Sequence, residues 1–82
     1  MNKIIYFTAP WCGPCRALGP VMDKLSLDIP IHKVNIDEDM EKASHYSVRS
    51  VPTLIKVDQN NNELARVVGN RSREDILNWY NG

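Results

Sequence analysis

Phe7-Thr8-Ala9-Pro10-Trp11-Cys12-Gly13-Pro14-Cys15-Arg16 is the stretch on which the reading of this chain turns, and it holds both cysteines. The run before it, Ile4-Ile5-Tyr6-Phe7, is rich in β-branched and aromatic residues and predicts a buried strand. After it, Leu18, Val21, Met22 and Leu25 recur at the i, i+3, i+4, i+7 spacing of one helical face. The cysteines therefore fall where a strand hands over to a helix. Pro14 suits the first helical turn, because its missing N–H would find no intrahelical partner there.

That placement dictates chemistry. The first turn of a helix presents free N–H groups and the positive end of the peptide dipoles, and both favour a thiolate over a thiol. Cys12, at the mouth of the turn, gains most and is the expected nucleophile. Cys15 follows on the same face, with Cβ atoms roughly 5–6 Å apart in an ideal helix. A small adjustment then permits an S–S bond, whose Cα separation is usually about 4.4–6.8 Å. Such a pair can open and close without unfolding the chain.

Trp11-Cys12-Gly13-Pro14-Cys15 after a strand resembles the active site of thioredoxins, and the likeness runs from Ile4 to Tyr80. Pro20 stands where that family bends its active-site helix. Lys33-Val34-Asn35-Ile36-Asp37 resembles the next strand, and Arg49-Ser50-Val51-Pro52-Thr53 resembles the Arg-x-x-Pro-Thr loop. Gly69 falls where a glycine precedes the last helix, after about one extra residue in the Asp58–Glu63 turn. The resemblance implies a cis bond before Pro52, turning the Ser50-Val51 backbone toward an extended substrate strand. It also implies a docking surface of Trp11, Gly13, Pro14, Ile36, Val51, Pro52, Val68 and Gly69.

Two departures stand out. The family's opening strand and helix have no counterpart in these 82 residues, so a short form, closer in length to glutaredoxins, is expected. Where the family buries an aspartate that takes up the proton of the second cysteine, this chain has Tyr6; the aromatic that often follows is Thr8. A phenol holds its proton at neutral pH and cannot be that base. Tyr6 is therefore expected to fill space, and Lys33, matching a family lysine near the site, is a second candidate for tuning the pair.

The chain has 82 residues, enough for one domain spanning residues 1–82. Ten Lys and Arg balance ten Asp and Glu, which gives no bias toward nucleic acid or anionic membrane. The acids of Asp37-Glu38-Asp39-Met40-Glu41 cluster where a helix should start and are read as its solvated entrance, with Asp37 or Asp39 as N-cap. Arg66, Arg71 and Arg73 are read as solvated charges. No run approaches the ~20 apolar residues of a membrane span, and the N-terminal apolar run is too short for a signal peptide. A cytoplasmic location is expected, where a Cys-x-x-Cys beside a β-α-β pattern points to redox work.

In order, the pattern predicts strands at Lys3–Thr8, Ile29–Ile36, Thr53–Val57 and Leu64–Val68. Helices are predicted at Cys12–Leu27, bent at Gly19-Pro20, at Asp39–Tyr46, and from Ser72 through Tyr80, where Ser72 and Asp75 fit a capping box. The order β-α-β-α-β-β-α is that of a minimal thioredoxin fold, an α/β structure whose four-stranded mixed sheet is flanked by three helices. His32 and His45 raise a zinc question together with the cysteines. They lie thirteen residues apart, against about four to six in a finger, and the pattern puts them on opposite sides of the sheet, so no metal is expected. Trp79 is read as packing.

The expected activity is protein-disulfide reduction by dithiol–disulfide exchange through Cys12 and Cys15. The Gly13-Pro14 insert resembles that of reducing members. No cofactor motif is present, so a thioredoxin reductase is the expected recharging partner, and disulfide-containing proteins are the expected targets of a monomer. Two alternatives stand beside this. One is a glutaredoxin-like electron donor, for example to ribonucleotide reductase, although Val68-Gly69-Asn70 lacks that family's Gly-Gly pair and following acid. The other is a non-catalytic binding subunit using the rim around Trp11.

Overall fold

The computed structural model describes residues 2–82. Among these, four strands form one sheet in the order β2-β1-β3-β4, with β1 at Lys3–Thr8, β2 at Ile31–Asn35, β3 at Thr53–Val57 and β4 at Glu63–Val68. β1 runs parallel to β2 and antiparallel to β3, which pairs antiparallel with β4. The helices are α1 at Gly13–Leu25, α2 at Met40–His45 and α3 at Arg73–Asn81. This is the expected mixed α/β sheet with three helices.

The unbroken apolar run of β1 follows from its central place, because both of its faces are covered. Ile4 and Tyr6 pack with Leu18, Met22 and Leu25 of α1 and Ile76 of α3. Ile5 and Phe7 pack on the opposite face with Ala43 and Tyr46 at α2. Each buried aliphatic side chain of this kind contributes about 1.5–3 kcal/mol relative to exposure. β1 is thereby clamped from both sides, and its end at Thr8 fixes where the chain turns into the cysteines.

The element ends differ from the predicted ones for local reasons. α1 begins one residue later, because Cys12 is its cap with an extended backbone (φ −87°, ψ 115°). It ends at Leu25, and Leu27 lies exposed in the turn that follows. β2 is shorter than predicted. Pro30 lacks an N–H, and Ile29 joins the core instead of the ladder. α2 is capped by Asp39, which accepts from the Lys42 N–H at 3.0 Å, so of the two candidate caps only one serves. Ser72 caps α3 through the Asp75 N–H at 3.1 Å. Lys56, buried in β3, donates to the carbonyls of Tyr80 and Gly82 at 3.0 and 3.3 Å and so satisfies the open end of α3.

The β3–β4 turn is held by one carboxylate. Asp58 accepts from the backbone N–H groups of Asn60 and Asn62 at 2.8 and 3.0 Å, while Asn61 takes a left-handed conformation that asparagine tolerates (φ 65°). The Asn62 N–H, ahead of the other donors, holds the Asp58 carboxyl below its ordinary value of 3.8. A depressed carboxylate contributes stability above the unfolded-state value and loses it as pH falls through the lower folded-state value. Asp58→Ala is therefore expected to lower the urea midpoint at neutral pH, with the gap to the parent closing on acidification below the usual aspartate range. Urea melts across that range check this; a gap that does not depend on pH contradicts it.

Candidate active site

The two cysteines close a disulfide across the first turn of α1, with Cα atoms 5.2 Å apart. Cys12 Sγ accepts the backbone N–H of Cys15 at 3.2 Å, a bond a serine or aspartate makes at an ordinary helix cap. When the disulfide opens, that N–H and the helix dipole stabilise negative charge on the Cys12 sulfur. Cys12 Sγ also lies 3.5 Å from the Val51 carbonyl oxygen, which ties the helix start to the loop before β3. Both cysteines are 4% exposed. Ala9 packs with them, and Ile36 and Val51 lean on this group.

The other residues of the predicted docking surface surround the pair. Trp11 is 65% exposed, and Gly13 and Pro14 are exposed in the first turn. The Val51–Pro52 bond is cis. The Gly69 N–H donates to the Pro52 carbonyl at 2.9 Å and draws Val68 and Gly69 beside the loop. Gly69 has φ +93°, a left-handed conformation for which glycine is the natural choice. Val68 is exposed and Ile36 half-buried.

Tyr6 lies buried behind the pair, and its hydroxyl donates to the Cys15 carbonyl at 3.3 Å. Lys33 stands opposite Tyr6 in the β1–β2 register and is exposed. Tyr6, Thr8, Lys33 and Asn35 share one side of the sheet, and with Cys15, Arg16 and Gly19 of α1 they line a cleft of about 630 Å³. Cys15 lines this cleft and Cys12 does not. Neither the cleft nor its volume could be read from the sequence, although Thr8 in an aromatic's place was the signal for it.

Asp37 is a residue that local sequence reasoning misses. Expected as part of a solvated helix entrance, its carboxylate instead accepts the Trp11 indole N–H at 2.9 Å. Only the fold brings the end of β2 beside Trp11, so the local sequence carries no sign of the pair. The placement of the histidines needs correcting as well. His32 pairs with Ile5 across the β1–β2 register and so faces α2, and both histidines line one cleft there, with Lys42 Nζ 3.4 Å from His32 Nε2. Among the described residues no group of three His, Cys, Asp or Glu side chains is spaced to hold a metal ion.

A disulfide capping a helix, flanked by a cis-proline loop on an α/β sheet, defines a thiol–disulfide exchange protein. The thioredoxin family model matches residues 1–81. A thioredoxin of Chlamydia pneumoniae is 44% identical over 81 residues, spanning 95% of this chain and 78% of that protein. One from Rickettsia typhi is 35% identical over 95% of this chain and 77% of its own. Among solved structures, a mutant thioredoxin of Halobacterium salinarum superposes with a TM-score of 0.88 at 32% identity, covering 96% of this chain and 71% of that one. A reduced thioredoxin of Schistosoma mansoni gives 0.87 at 30% identity, covering 98% and 76%.

The chain belongs to the thioredoxin family. It is a protein-disulfide oxidoreductase that works by dithiol–disulfide exchange through Cys12 and Cys15, and membership implies disulfide-bearing targets and recharging by a reductase.

The Trp11–Asp37 bond makes a prediction of its own. Removing an exposed partner costs little stability, within about 1 kcal/mol, but it releases the indole. Asp37→Ala, in a Trp79→Phe background so that Trp11 alone is seen, is expected to lower the steady-state fluorescence anisotropy of Trp11. Unchanged anisotropy would show that packing, not the carboxylate, holds the ring.

Proposed function

We propose that Cys12 is the attacking thiolate and Cys15 the resolving thiol of a cytoplasmic, monomeric thioredoxin that reduces protein disulfides and helps to keep cellular thiols reduced. The Cys15 N–H on Cys12 Sγ carries this reading, because it stabilises charge on one sulfur of the pair and not the other. Cys12 attacks a sulfur of the target disulfide, and the other target sulfur leaves with the electron pair. Cys15, as its thiolate, then attacks Cys12 Sγ; the Cys12–Cys15 bond forms and the second target sulfur departs. Two electrons pass from the dithiol to the target.

Trp11, Gly13, Pro14, Ile36, Val51, Pro52, Val68 and Gly69 form the docking surface. The support is their arrangement, an apolar rim around the buried pair with the Val51–Pro52 backbone at its edge. The monomer leaves this rim free for targets. A thioredoxin reductase recharges the oxidised pair. Tyr6 fills space behind it, since its hydroxyl is already given to a carbonyl. No helix among the described residues is long and apolar enough to cross a membrane.

Cys12→Ser is expected to abolish target reduction, whereas Cys15→Ser accumulates a covalent mixed disulfide on Cys12, seen by intact-mass spectrometry. Adducts trapped on Cys15 of the Cys12 variant, and none in the reverse case, would invert the assignment. The variant with serine at both positions is expected to lose function altogether; retained function would mark a binding subunit. Reduction of a protein disulfide should proceed with NADPH and thioredoxin reductase and fail with NADPH, glutathione and its reductase.

A further inference from the structure

We propose that the cleft behind Cys15 is the proton exit of the resolving thiol, and that Thr8 keeps it open. The inference rests on the reading of Cys15 as the resolving cysteine. In the mixed disulfide, the Cys15 thiol must lose its proton before its thiolate attacks Cys12 Sγ and expels the target sulfur with the electron pair. No carboxylate stands behind it on β1. Tyr6 occupies that place, and its hydroxyl is committed as a donor to the Cys15 carbonyl.

The cleft supplies the alternative. At about 630 Å³ and open to solvent, it has room for water and for a small buffer base. Cys15 lines it and Cys12 does not, so a base entering there approaches the resolving cysteine from a side that the attacking one does not share. The charged and titratable groups along it are Arg16 from α1, His32 and Lys33 from β2, Glu38 and Asp39 before α2, and Tyr6 on β1. His32 pairs with Ile5 and so projects from the edge of the sheet toward α2, beside Lys42, and not toward Cys15. Both acids are engaged, Glu38 with the Asn35 side chain at 3.0 Å and Asp39 as the cap of α2. On the opposite side Ile36 and Val51 bring no charge to Cys15. The proton therefore passes to mobile base in the cleft rather than to a fixed group.

Thr8 sets the width. It shares its side of the sheet with Tyr6 and pairs with Asn35 across the β1–β2 register. A larger side chain at this position projects into the cleft. Thr8 is thus a positioning residue that takes no part in the bond exchange itself.

Stopped-flow reaction of the reduced protein with Ellman's reagent separates the steps. The first equivalent of coloured thiolate reports Cys12 attack and the second reports resolution by Cys15. At fixed pH and ionic strength, the second phase of the parent is expected to accelerate with imidazole concentration. Thr8→Phe is expected to lower the ratio of second to first phase by about tenfold and to flatten the imidazole response, whereas a positioned acid–base group supplies roughly 10²–10⁴-fold. Lys33→Met is expected to keep the imidazole response. A second phase indifferent to imidazole in the parent overturns the proposal. So does a Thr8→Phe ratio equal to the parent's, or a Lys33→Met variant that has lost the response. A missing first phase counts against the assignment of Cys12, not against the cleft.

Discussion

A single backbone N–H, that of Cys15 pointing at Cys12 Sγ across 3.2 Å, is the contact on which the chemistry depends. It exists only if α1 begins at Gly13, and α1 begins there only if β1 ends at Thr8 in a fixed place. The two buried layers supply that constraint. Ile4 and Tyr6 are held against α1 and α3, and Ile5 and Phe7 against α2. With both faces of β1 packed, the strand end cannot slide, and a one-residue slip would send every side chain to the wrong layer. Core packing thus reaches the Cys12 sulfur through the position of one helix cap.

The loops that finish the site hang on the same sheet. The Gly69 N–H on the Pro52 carbonyl joins the end of β4 to the start of β3. Val51 leans on the cysteines, and Asp37, just past the end of β2, holds Trp11. Each contact is modest in energy, yet together they bring four separate segments to one rim. The front of the pair carries the apolar rim proposed as the docking surface. Its back, behind Cys15, is an open cleft with charged side chains along its edge.

Much of this is legible in the sequence because it depends on short-range chemistry. The apolar run Ile4–Phe7, the period of Leu18, Val21, Met22 and Leu25, and Pro14 in a first turn mark the strand-to-helix handover with no knowledge of the fold. Ser72 and Asp58 announce a cap and a turn by residue type. What the sequence conceals depends on distant segments. Ile29 looks like a strand residue, but Pro30 breaks the ladder and Ile29 turns into the core. Asp37 looks like a helix entrance because its partner Trp11 is remote in sequence. His32 and His45 come to one side through the β1–β2 register, which no local pattern encodes.

We propose that the fold, rather than the Cys-x-x-Cys spacing, favours the thiolate at Cys12. The most direct measurement follows the ultraviolet absorbance of the thiolate against pH in the reduced Cys15→Ser protein, folded and then unfolded in urea. The backbone N–H of residue 15 and the helix dipole remain in the folded variant and vanish in the unfolded one. The thiolate is predicted to persist to clearly lower pH in the folded protein. Coincident titration curves would mean that the helix cap does not activate the sulfur, and that the reactivity of Cys12 has another source.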